Sequence, residues 1–108
     1  MMGKKQVTRP GFKITDSKGF HITLENGWTV SVQFGPGNYA DNYDAGIGRD
    51  ERASGERGSS TAECAIWGGD GEMVRYGDWG NAVSNRSTPT EVLELLNWAA
   101  QQAPKGSN

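Results

Sequence analysis

The chain predicts an α+β fold: an antiparallel sheet of four to five strands, made of two β-hairpins, with one C-terminal helix packed on one face. Three observations carry this. Phe20, Ile22 and Leu24, then Trp28, Val30, Val32 and Phe34, alternate with polar residues, the period of strands with one buried face. Residues 62–67 and 72–76 flank the turn signal Gly68-Gly69-Asp70-Gly71, which predicts the second hairpin. Val92, Leu95, Leu96 and Ala99 recur at helical spacing.

Taken in order, residues 1–10 read as a flexible tail. Its cations Lys4, Lys5 and Arg9 fit a solvated segment better than a binding arm. Residues 11–103 form a single domain. Gly11-Phe12-Lys13-Ile14-Thr15 reads as a short strand, and Asp16-Ser17-Lys18-Gly19 as the turn that hands it to the Phe20 strand. The first hairpin turns at Glu25-Asn26-Gly27. A two-residue Asn-Gly loop would put the apolar residues of its two strands on opposite faces. A three-residue loop pairs Leu24 with Trp28, Ile22 with Val30 and Phe20 with Val32, so all six share one face. Burial selects the three-residue form, with Gly27 in the left-handed position of a type I turn plus G1 bulge.

A long polar loop follows over residues 35–61, starting at Gly35-Pro36-Gly37. Structureless loops of that length in compact domains are usually functional or disordered. In the second hairpin, Ile66 is expected to pair with Val74, placing Cys64, Ile66, Val74 and Tyr76 inside. Residues 77–88 read as irregular. The helix starts at Thr88, with Pro89 at its first position and Glu91 completing a capping box. Pro104 and Gly106 end it, and residues 104–108 read as a second flexible tail.

Composition excludes several classes. The 108 residues carry a net charge of −2, which argues against a double-stranded nucleic-acid surface. No run is long and apolar enough for a membrane, and no apolar stretch follows Lys4-Lys5 as a leader would require. Cys64 is the single cysteine; its place in an alternating strand reads as a small buried hydrophobe in a reducing compartment. A cytoplasmic protein is expected.

No catalytic motif is present. His21, the only histidine, falls on the non-core hairpin face beside Ser31, a cross-strand polar pair rather than a triad. No Walker A lysine and no dinucleotide-binding glycine motif occur. The Asp41, Asp44, Gly46 and Asp50 cluster fails the EF-hand template, because Arg52 stands where the bidentate Glu belongs. Neither a metal nor a cofactor is expected, and a non-enzymatic role is. The residues best suited to recognition are Asn38, Tyr39, Asn42, Tyr43, Arg49 and Arg52 in the long loop, with Trp67 or Trp79 as stacking surfaces. Amides, aromatic rings and fixed positive charge suit a nucleotide-like small ligand. They equally suit a host protein, met through the 35–61 loop or a sheet edge. Open sheet edges also make a homo-oligomer an expectation.

The segments GFHITLENGWTVSVQFGPGNY and AECAIWGGDGEMVRY resemble small uncharacterised accessory proteins of tailed bacteriophages and prophages, over residues 11–100. The resemblance implies a protein made in the bacterial host cell that counters a host defence by binding something. It carries over no catalytic residues.

Overall fold

A computed structural model of the chain describes residues 9–15, 18–34, 58–77 and 83–104. The strands are β1 (Gly11–Ile14), β2 (Gly19–Thr23), β3 (Thr29–Gln33), β4 (Ala62–Trp67) and β5 (Val83–Ser87), followed by α1 (Pro89–Ala100). They form one antiparallel sheet in the order β1-β2-β3-β4-β5. The α+β fold with a C-terminal helix is therefore as expected.

The first hairpin takes the predicted register: Phe20 pairs with Val32 and Ile22 with Val30, and the Leu24 N–H donates to the Trp28 carbonyl at 2.8 Å. Gly27 has φ 88°, the left-handed position where a Cβ costs about 1–2 kcal/mol. Val30, Val32, Cys64 and Ile66 form the buried inner face of the sheet, with Trp28 beside them and Leu95 and Ala99 of α1 above. Phe20, Ile22, Leu24, Val74, Val92 and Leu96 pack around this core as their strand and helix spacings predict, whereas Phe34, at the end of the alternation, is 37% exposed. Trp98 lies off the main helix stripe but completes the core. Its ring meets Trp28 at 5.7 Å and Tyr76 at 5.2 Å, both edge-on.

The second hairpin needs correction. The Ile66–Val74 register holds, since the Val74 N–H donates to the Ile66 carbonyl at 3.0 Å and Trp67 bridges Met73. Residues 72–76 nevertheless form no strand. The β4 edge they approach is taken from Ala65 to Ala62 by β5, which comes from the segment read as irregular. A bulge between Ala62 and Cys64, with Arg86 at φ 49°, turns Ser84 and Ser87 inward. Their hydroxyls bond each other at 2.8 Å, and Ser84 accepts the Cys64 N–H at 3.3 Å. Side-chain oxygens thus occupy positions where an apolar alternation would have flagged a strand.

The helix begins as predicted. Thr88 Oγ1 accepts the Glu91 N–H, and the Glu91 carboxylate accepts the Thr88 N–H at 2.8 Å. Thr88→Ala is expected to lose about 1 kcal/mol; equal melting temperatures for variant and parent would remove the cap from the account.

Its other end is held by the hairpin turn. Asn26 Nδ2 donates to the Ala99 carbonyl at 2.7 Å and to the Gln102 carbonyl at 2.9 Å, while its Oδ1 accepts the Trp28 N–H at 3.1 Å. The Trp28 indole N–H adds a bond to the Ala103 carbonyl at 2.8 Å. One turn residue therefore adds donors to a carbonyl of the last helical turn and to one just past the helix end, the Ala99 carbonyl also accepting the Gln102 N–H at 3.3 Å. Asn26→Ala is expected to cost about 2 kcal/mol, read as a lower urea midpoint. A cost no larger than that of an exposed surface substitution would contradict this clamp.

Candidate functional site

Because the sheet alternates, the face opposite α1 is fixed by the same registers. It carries Lys13 from β1, His21 and Thr23 from β2, Thr29, Ser31 and Gln33 from β3, and Glu63, Ala65 and Trp67 from β4. No described helix packs on it. Thr23, Thr29, Ser31 and Ala65 are nonetheless buried. Thr23 and Thr29 share a hydroxyl–hydroxyl bond of 2.8 Å. Gln33 links Thr15, Ser31 and the Phe20 carbonyl, which stiffens the far end of the face.

A cleft of about 620 Å³ opens on this face, within the usual range for small-molecule sites. Thr23 and Thr29 contribute its hydroxyls, Trp67 and His21 its rings, and Arg9 and Lys13 its cations. A smaller hollow of about 210 Å³ involves Ser31, Gln33 and Ala65, next along β3. His21 stands edge-on to Trp67 at 5.1 Å and 83°. Partial burial lowers the imidazole pKa, and Lys13, its cross-strand neighbour, lowers it further. The ring is therefore neutral at pH 7, with one nitrogen to donate and one to accept.

The charged neighbour of His21 is thus a cation, where a triad needs a carboxylate. Among the described residues, no group of three or more His, Cys, Asp or Glu side chains is placed to hold a metal. Cys64 is buried, and its pKa is pushed up to about 11 by that burial, against the opposing pull of bonds from Ser84 and Ser87. Its thiol stays protonated at neutral pH, as expected of a packing residue.

Of the residues singled out from sequence, Trp67 lines the cleft. Asn38, Tyr39, Asn42, Tyr43, Arg49, Arg52 and Trp79 lie outside the described residues. Arg9, read as part of a solvated tail, borders the cleft. Lys13, Thr23 and Thr29 also line the cleft; the sequence signal for them is the parity they share with His21 across the strands. No described helix is long and apolar enough to cross a membrane. No protein-family model matches this chain, and comparison with curated proteins and with solved structures also finds no match.

Proposed function

We propose that the chain is a non-enzymatic, phage-type accessory protein of the host cytoplasm. It captures a nucleotide-like small ligand in the outer-face cleft and so counters a host defence. The observation that carries this reading is the composition of one cleft. An indole wall, hydroxyls from Thr23 and Thr29 and the cations of Arg9 and Lys13 surround the same 620 Å³. A planar base stacks on Trp67, its polar edge meets the hydroxyls and the neutral His21, and its phosphate meets Arg9 and Lys13. The cross-strand neighbour of His21 is Lys13, not the carboxylate that a hydrolase triad needs. The host-defence context is what the resemblance to phage accessory proteins implies.

The test is thermal-shift screening with mono-, di- and cyclic nucleotides. A true ligand at a hundredfold excess over Kd stabilises the fold by about 2.7 kcal/mol. Trp67→Ala is expected to weaken binding by about 5- to 150-fold, the range of one base–aromatic stack. No stabilisation across the set, or unchanged affinity in the Trp67 variant, would overturn the reading.

A further inference from the structure

We infer that β1 is a self-association edge, along which a second copy of this chain extends the sheet with the two Phe12 residues opposed. The ladder determines which backbone groups are free. Leu24 bonds Trp28, and Phe34 bonds Lys18, so the even-numbered residues of β2 use their backbone groups toward β3. Its odd-numbered residues therefore bond β1, as the Thr15 N–H to the Gly19 carbonyl confirms at 3.1 Å. By the same alternation, the N–H and C=O groups of Phe12 and Ile14 point away from β2 to the open edge. Their side chains share the helix-side face but lie beyond the helix, 81% and 80% exposed. The edge thus offers free donors, free acceptors and unburied apolar surface on one four-residue strand.

Charge excludes one register, and ring pairing favours another. A two-fold axis through Lys13 would set two ammonium groups directly opposite each other, which is destabilising. An axis through Phe12 instead opposes the two phenyl rings, a favourable cross-strand pair. It also sets Lys13 across from Gly11 of the second copy, which has no side chain to meet. The Phe12 backbone groups then bond their copies, and each Ile14 N–H reaches the Pro10 carbonyl of the other chain. Pro10 lacks an N–H, and this register asks it for none. Gly11 lines the cleft, so Lys13 of the second copy reaches the cleft's open rim. The pairing itself does not depend on any ligand. The surface it buries is small beside the ~1,200–2,000 Å² of a stable interface, so association is weak and concentration-dependent.

The test combines sedimentation with amide hydrogen exchange on the full chain over a concentration series. The average mass should rise with concentration. Exchange at Phe12 and Ile14 should slow severalfold, while the Lys13 amide, already bonded to β2, should not change. Phe12→Glu should weaken association by about tenfold or more, equivalent to ~1.4 kcal/mol, with an unchanged circular dichroism spectrum. A monomer at every concentration would overturn the inference. So would a Phe12→Glu variant that associates like the parent, or association that leaves the Phe12 and Ile14 amides exchanging at dilute rates.

Discussion

Leu95→Ala is expected to lower stability by about 3–4 kcal/mol, the cost of a fully buried leucine replaced by a cavity. For a domain of this size that is a fall in Tm of about 12–25 °C. Leu95 is 2% exposed and sits with Ala99 over the inner sheet face. Leu93, on the same helix but 57% exposed, supplies the control, since Leu93→Ala should change stability by less than about 0.5 kcal/mol. Similar losses at both positions would mean that α1 does not close the core.

The second large effect is expected at Gly19. A Cβ there would overlap the Val32 carbonyl oxygen and lie 2.8 Å from the Gln33 Cα. Both are backbone atoms and cannot rotate aside, so β2 and β3 would have to separate at that end. Gly19→Ala should cost about 3 kcal/mol, at the upper end of overpacking. The loss should appear as a lower urea midpoint. Gly27→Ala makes the contrast. Its Cβ would meet nothing closer than 3.9 Å, so only the backbone strain of φ 88° opposes it. If the Gly27 change proved the more damaging, close strand approach would not be the reason for Gly19.

The parts of the fold legible in the sequence are those set by local chemistry. Glu25-Asn26-Gly27 and the flanking alternation select one hairpin register, and Thr88-Pro89 with Glu91 sets the helix start. β5 escaped because Val83-Ser84-Asn85-Arg86-Ser87 has no apolar alternation; its inward positions are serines bonded within a bulge. The Asn26 clamp escaped for a different reason: its partners lie 73 and 76 residues away, so no local pattern announces them. The cleft is non-local in the same sense. Arg9, His21, Thr29 and Trp67 become neighbours only once three strand registers are known. Trp67 was recognisable beforehand because a tryptophan beside a glycine-rich turn is a natural stacking surface.

Nuclear magnetic resonance mapping of nucleotide binding speaks most directly to the idea that the sheet face opposite α1 is where this chain recognises its ligand. Titration with a stabilising mono-, di- or cyclic nucleotide should move the signals of Lys13, His21, Thr23, Thr29 and the Trp67 indole together. Leu95 and Ala99, behind the sheet, should stay in place. Shifts confined to the helix side, or to β5 and the helix start, with Trp67 unmoved, would contradict it.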